Sequence, residues 1–337
     1  MKAGLRGTKY FPFIYLLLFG KRCPRNTELQ NLTADSEFVL LSLSEDPELK
    51  PVIFGLFLFL YLITVLGNLL IILTVISDSH LHTPMYFFLC NLSFADICFV
   101  STTVPKLILD IENHSRAISH VGCLTQMSLF MFFGCIDDML LTVMAYDRFV
   151  SICHPLHYTV IMNHRLCVLL ILVSILFSVV NSQAHNFIAL QITYFKVVEI
   201  SNFYCDPAEL LNLACSDTSS INVSRYILAT IYGIFPILGI LFSYYKIVSA
   251  ILKISGSGAK YKTFSTCGSH LSVVCLFYGT ATGVYFASSL SHSPRNGLVA
   301  SVIYAVVTPM LNPFIYTLRN KDFKDSLNRL CHRHSIS

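Results

Sequence analysis

Five stretches of this chain run for twenty residues or more with no charged side chain: 51–76, 166–195, 226–245, 263–294 and 296–318. A helix crosses roughly 30 Å of hydrocarbon in about 20 residues, because each residue adds about 1.5 Å. Two further stretches are comparably apolar but hold charges: Asp96 and Lys106 within 84–109, and Asp137 and Asp138 within 122–146. Seven spans follow. Buried helices of a water-soluble protein would be shorter and would alternate with charged faces. Only 12% of the 337 residues are charged, whereas a soluble surface needs about 25–35%. That scarcity also excludes disordered, collagen-like and coiled-coil chains, whose compositions are polar or strictly repeating. The expected fold is an all-α membrane protein, a seven-transmembrane helix bundle with a short amphipathic C-terminal interfacial helix.

An odd number of spans places the termini on opposite faces, and Lys/Arg bias assigns them. Alternate connections collect Arg148, Arg165, Lys246, Lys253, Lys260, Lys262, Arg319, Lys321, Lys324, Arg329 and Arg333. The remaining loops hold only Lys106, Arg116, Lys196, Arg225 and Arg295. Eleven against five puts the tail, 319–337, in the cytoplasm and the N-terminal segment, 26–50, outside, with the bundle at 51–318. Residues 1–25 form a separate extension. Lys2, Arg6 and Lys9 precede the apolar run 11–20, which has the form of a signal peptide but lacks a small-residue cleavage site. Signal peptide, uncleaved extension and upstream start codon stand side by side. Asn31-Leu32-Thr33 is a glycosylation acceptor on the outer side.

Acids inside a span mark function, because a carboxylate in lipid is costly. Asp96 lies ~18 Å above the start of span 2 and Asp137 ~16.5 Å above Arg148 at the end of span 3, from the helical rise. The two carboxylates share one level. Asn68 of span 1 and Asn312 of span 7 sit slightly nearer the cytoplasm. The four form a candidate buried cluster, with a proton or Na⁺ offsetting the paired acids near Asp96 and Asp137. A purely structural network is the alternative. Span 3 ends in Met144-Ala145-Tyr146-Asp147-Arg148-Phe149, and span 7 in Pro309-Met310-Leu311-Asn312-Pro313-Phe314-Ile315-Tyr316. A proline there frees carbonyls that other groups must satisfy.

Together these segments resemble the odorant (olfactory) receptors, a branch of the rhodopsin-like G-protein-coupled receptors. The resemblance rests on Gly67-Asn68, on Pro84 to Leu89 with Leu92-Ser93 and Asp96, and on Met144 to Tyr158. Ser243-Tyr244, Lys262 to Thr266, Cys267, Ser269-His270-Leu271, Phe277 to Thr280 and Pro309 to Asn320 complete it. The absence of Trp fits this branch. The resemblance implies a multi-pass plasma-membrane receptor that drives nucleotide exchange on a heterotrimeric G protein of the olfactory stimulatory type. Asp147 would hold Arg148 at rest, and Arg148, Tyr244, Asn312, Pro313 and Tyr316 would serve activation and coupling. The tail segment 318–330 would lie in the interface with Phe323, Leu327 and Leu330 on one face, and Cys331 is a palmitoylation candidate.

The resemblance also pairs Cys123 with Cys205, tethering the long loop between spans 4 and 5 as a lid. In the family a second bridge reaches Cys215, but Tyr194 stands at its partner's position. Cys215 is then free or paired with Cys23, and a receptor-like chain that no longer signals becomes an alternative. Ligand contacts are expected from Phe130, Met131, Gly134 and Cys135 of span 3. Leu228 and Tyr232 of span 5, Tyr278, Thr282 and Tyr285 of span 6, and Val302 of span 7 join them. Between 122 and 136 there is no acid to balance an amine, so the expected ligand is small, mainly apolar and volatile. Partners are that ligand, the G protein and membrane lipid, with no nucleic acid. An ion-coupled transporter using Asp96, Asp137 and Asp138 is the rival, against which stands the lack of an internal repeat. An enzyme is not expected. His154, His157, His332 and His334 lie in basic stretches without companion acids, so no metal site is read there.

Overall fold

A hydrocarbon layer offers the backbone no hydrogen-bond partner outside the protein, so long apolar runs fold as helices. The computed structural model describes residues 37–44, 46–113, 115–191, 198–212, 223–224, 227–253, 256–290, 294–319 and 321–334. The long helices are α1 (Lys50–Ser77), α2 (Pro84–Ser101), α3 (His120–Cys153), α4 (His164–Leu190), α5 (Phe235–Lys253), α6 (Ser257–Leu290) and α7 (Thr308–Arg319). A terminal α8 (Lys321–His334) follows. Among the described residues six helical spans are long and apolar enough to cross a membrane. The 34-residue α6 completes the seven.

Local chemistry sets where helices start and break. Pro84 opens α2, where its missing N–H costs nothing. Ser119 caps α3 by accepting from the Gly122 amide at 3.1 Å, and Asn163 caps α4 through the Leu166 amide at 3.0 Å. Each interior break precedes a proline. α2 stops at Ser101 and resumes as the segment Val104–Asn113, because Pro105 cannot bond the Ser101 carbonyl. Pro236 follows a π-helical turn at Thr230–Ile234, and Pro309 follows another at Ile303–Val307.

The central helices are the buried ones. About half of the spans Pro84–Asn113 and His120–Cys153 is buried (56% and 50%), against 22% of α1 and 28% of α4. The three most apolar spans, α1, α4 and the one ending in α5, are all less than a third buried, as expected where lipid is the solvent. α3 packs against α2, α4 and α5. One close approach depends on a glycine: a Cβ at Gly67 of α1 would lie 3.2 Å from the Pro313 Cβ of α7.

Two features depart from the sequence reading. The fold is not wholly α. β1 (Glu37–Leu40) is the central strand of a small outer sheet, antiparallel to β2 (Ala117–Ser119) and parallel to β3 (Val198–Ile200). Phe38 and Leu40 alternate inward onto Ile118, Ile200 and the Cys123–Cys205 bridge. In α8, Phe323 does not face the interface; it is 1% exposed and packs with Ile71, Leu81 and Met85, while Leu327 and Leu330 are partly buried. Phe323 sits directly after the turn from α7, where the bundle floor is still within reach. Residues 1–25, Asn31, Tyr194, Cys215 and the side chain of Cys331 lie outside the described residues.

α8 is held by a charge. Arg329 donates to Asp78 Oδ2 from Nη2 at 2.6 Å and from Nε at 3.2 Å. Hydrogen bonds from Ser326 and Arg329 hold the Asp78 carboxyl well below the usual carboxylate range. A depressed folded-state pKa stabilises above the unfolded value and is lost as pH falls through the folded one. Acidifying from pH 7 to about 5, still above the ordinary Asp range, should therefore leave α8 docked. Asp78→Asn should release it at every pH. Limited proteolysis of the tail in membranes measures both, and cleavage that rises between pH 7 and 5 in the unmutated chain refutes the assignment.

Candidate functional site

Midway through the bundle, Asn312 of α7 donates from Nδ2 to both oxygens of Asp96 at 3.0 Å. Asp96 is 2% exposed and Asp137, on the facing side of α3, is 4% exposed; the two carboxylates are close enough to interact electrostatically. Asn68 of α1 donates to the Thr64 carbonyl at 3.1 Å and to the Pro309 carbonyl at 3.4 Å. The second bond has a covalent cause. Pro313 has no N–H to give the carbonyl four residues back, and that carbonyl is Pro309. Asn68 Oδ1, Asp137 Oδ1 and Asn312 Oδ1 are buried acceptors with no protein partner. Three acceptors without protein donors, one of them a carboxylate oxygen of Asp137, with the Asp96 carboxylate beside them, have the chemistry of a site for a hard cation.

Asp138, next along α3, is separate from this cluster: the Tyr278 hydroxyl of α6 donates to its Oδ1. This pair was not legible as a pair. Asp138 is an acid in a span, the signal that marks Asp137, but only the packing of α6 shows what it faces.

At the end of α3 near Tyr158, Asp147 and Arg148 do not pair in this conformation. Asp147 Oδ1 accepts from the Tyr158 hydroxyl at 2.8 Å. Burial and the adjacent Asp147 carboxylate keep the Tyr158 phenol above its ordinary range, so it stays a donor. Arg148 Nε and the Tyr316 hydroxyl are buried without a protein partner. Tyr244 of α5 lies 2.7 Å from His270 Nδ1, and His270 Nε2 lies 3.0 Å from the Leu141 carbonyl. A carbonyl only accepts, so Nε2 carries the proton and, in the neutral ring, Nδ1 accepts from Tyr244. His270 thus joins α6 to α3 and α5. In the sequence His270 stands within Ser269-His270-Leu271, and nothing along one chain shows which groups it bonds.

The ligand-contact candidates divide. The Phe130 ring meets Phe99 of α2 and Tyr204 of the loop after α4 at a tilt, with centroids 4.7 and 4.6 Å apart, and Tyr304 edge-on at 6.1 Å. A Cβ on Gly134 would meet Phe99 and Tyr304. These two therefore face α2 and the start of span 7. Val302 packs in the same cluster, and Met131 joins it to Leu228. Cys135 is buried, and Tyr232 stacks on Phe177 of α4 at 4.4 Å. Thr282 is exposed, and the Tyr285 side chain lies outside the described residues. The physical reason is angular. At about 100° per residue, positions 130, 131, 134 and 135 spread over roughly 140° of the helix surface, too wide for one pocket wall.

The loop after α4 is a plug. The Cys123–Cys205 disulfide is formed, with S–S 2.06 Å, and residues Asn202 to Asp206 are buried. The Cys205 amide donates to Gln126 Oε1 at 3.0 Å, and Gln126 Nε2 donates to the Thr102 carbonyl at 3.0 Å, where α2 is broken. Asn202 Nδ2 donates to Ser301 at 2.9 Å. One glutamine therefore satisfies the loop and the helix break together. Gln126→Ala would strand both backbone groups in the interior, at about 1–3 kcal/mol. The expected result is a lower thermal midpoint of the solubilised protein; an unchanged midpoint would show that water replaces the amide.

Comparison with known proteins agrees with this geometry. A model of the olfactory receptor family matches residues 57–333. Human olfactory receptor 7E24 is 66% identical over 95% of this chain and 94% of its own. Mouse olfactory receptor 7E178 is 65% identical over 91% and 93%. Squid rhodopsin, at 19% identity, shares the fold with a TM-score of 0.66 over 86% of this chain and 89% of its own. The breadth and identity of these matches place the chain in the olfactory receptor family, among the G-protein-coupled receptors and not among enzymes.

Proposed function

We propose that this chain is an odorant receptor in which a small, mainly apolar organic ligand drives nucleotide exchange on a heterotrimeric G protein of the olfactory stimulatory type. The observation that carries the reading is a set of buried polar atoms without protein partners: Asn68 Oδ1, Asp137 Oδ1 and Asn312 Oδ1 at mid-bundle, Arg148 Nε and the Tyr316 hydroxyl toward one end, and Asn181 Oδ1 on α4. Orphaned polar atoms are rare in stable interiors and cost free energy. Along the bundle axis they are groups poised to exchange partners between two packings. The N-terminus is outside and the tail, with the Lys/Arg-rich connections, is in the cytoplasm.

The ligand lies between spans 3, 5, 6 and 7, its apolar walls supplied by Met131, Cys135, Leu228 and Tyr232. Tyr278 and Asp138 form the polar floor. A ligand touching Tyr278 acts on α6 directly, and it shifts the resting equilibrium by its differential affinity for the two states. Outward movement of α6 breaks the His270 bond to Leu141. It releases Tyr244 toward Arg148 and opens the floor to the C-terminal helix of the G protein. Among the described residues no carboxylate pairs with Arg148, and α6 is held to α3 through the His270 imidazole.

Ligand-driven signalling should fall to background in Arg148→Ala while surface expression persists; a full response in that variant refutes the mechanism. Na⁺ is the cation proposed for the Asp96–Asp137 level, held by Asp137 Oδ1, Asn68 Oδ1 and Asn312 Oδ1. Sodium should raise the thermal midpoint of the purified receptor, and Asp137→Asn should remove that dependence. Equal sodium responses in both proteins would leave the cluster purely structural.

A further inference from the structure

Asp138 of α3 is 6% exposed. Its hydrogen bond, among the described residues, is the one from the Tyr278 hydroxyl of α6 to Oδ1. Among those residues no cationic side chain pairs with it: the ion pairs join His80 and Arg329 to Asp78, and Lys106 to Asp110. The sodium placed at the Asp96–Asp137 level is held by Asp137, not by Asp138. A carboxylate taken out of water is costly unless a cation meets it, and a phenol brings a hydrogen bond without a charge.

The pair is open on the side away from Arg148. Met131 precedes Asp138 by seven residues, which returns it to within about 20° of the same face of α3 and sets it roughly 10 Å farther from Arg148. Met131 is only partly buried. On α6, Thr282 follows Tyr278 by four residues and shares its face, and Thr282 is exposed. Tyr278 reaches α3 from that face. An exposed Thr282 one turn beyond it therefore marks space between α3 and α6 that protein does not fill.

We propose that the ligand is a small aliphatic amine, bound as its ammonium ion at Asp138 with its alkyl chain along Met131 toward Thr282. This rests on the reading of the chain as an odorant receptor and names the chemistry of its ligand. The ammonium supplies the charge that Asp138 lacks and three donors, in a charge-assisted bond. It competes with the Tyr278 hydroxyl for the same carboxylate, so its arrival loosens a bond between α3 and α6. Residues 122–136 hold no acid; the counter-charge lies two positions beyond, and the packing of α6 against it makes it the floor of the ligand site.

The test is binding of labelled hexylamine to the full-length receptor in phosphatidylcholine nanodiscs, with nucleotide exchange on the G protein as a separate readout. Saturable binding is expected, with hexan-1-ol and hexanoate each competing at least about tenfold less well. Asp138→Asn, whose Oδ1 still accepts from Tyr278, should weaken hexylamine binding by about tenfold or more. Tyr278→Phe, which leaves the carboxylate in place, should not weaken it. Absence of saturable binding overturns the proposal, and so does equal competition by the alcohol. Binding that survives Asp138→Asn also overturns it, whether the amine then sits at Asp137 or in lipid, and so does binding lost in Tyr278→Phe. Exchange driven by hexan-1-ol and not by hexylamine would overturn the amine and leave the receptor reading intact. Hexylamine bound at Asp138 without exchange would uphold the site and refute that reading.

Discussion

Within hydrocarbon every backbone donor and acceptor must be satisfied from inside the protein, and the features of this bundle gather where that demand is locally broken. Pro105, Pro236, Pro309 and Pro313 each remove an N–H from a span. Around them stand the break in α2, the π turns before Pro236 and Pro309, and the Asn68 bond to the Pro309 carbonyl. Thr142 lies 3.5 Å from the Pro236 carbonyl, and Gln126 serves the Thr102 carbonyl in the α2 break. The Pro309 and Thr102 carbonyls are served by side chains from other helices, Asn68 and Gln126. The prolines thereby create the interhelical contacts that join α1 to α7 and α3 to α2.

The two ends of the bundle are built on opposite terms. The outer end is pinned. A disulfide, a three-stranded sheet, Gln126 and Asn202 hold the loop 202–206 down, and an aromatic column runs from Phe203 through Tyr204 and Phe130 to Tyr304. At the opposite end α6 is tied to α3 through one histidine. His270 alone carries hydrogen bonds from α6 to both α3 and α5 in this region, among the described residues. Arg148 and Tyr316 keep unsatisfied atoms beside it.

Mid-membrane acids identify important levels without identifying partners. Asp96, Asp137 and Asp138 are equal as sequence: acids in apolar stretches. In the fold Asp96 takes both bonds of Asn312, Asp137 keeps one oxygen unpartnered, and Asp138 meets Tyr278. Adjacent residues on a helix point about 100° apart, so Asp137 and Asp138 belong to different sites. The same rotation explains why Phe130 and Gly134 line the side of α3 toward α2, while Cys135 does not.

The sequence by itself determined the seven spans, the level shared by Asp96 and Asp137, the need to repair Pro313, and the family. These follow from one-dimensional quantities: charge-free length, rise per residue, the missing proline N–H and the order of motifs. Only the tertiary structure decided which groups meet. The strand at Glu37–Leu40 has four residues and becomes a strand only because β2 and β3 lie on either side of it. Phe323 is buried because the turn after α7 brings it under the bundle, although its spacing on α8 is equally that of a lipid-facing residue. Asp147 bonds Tyr158, eleven positions along, in preference to the arginine beside it. Such pairings depend on distances between helices, and no periodicity along one chain encodes them.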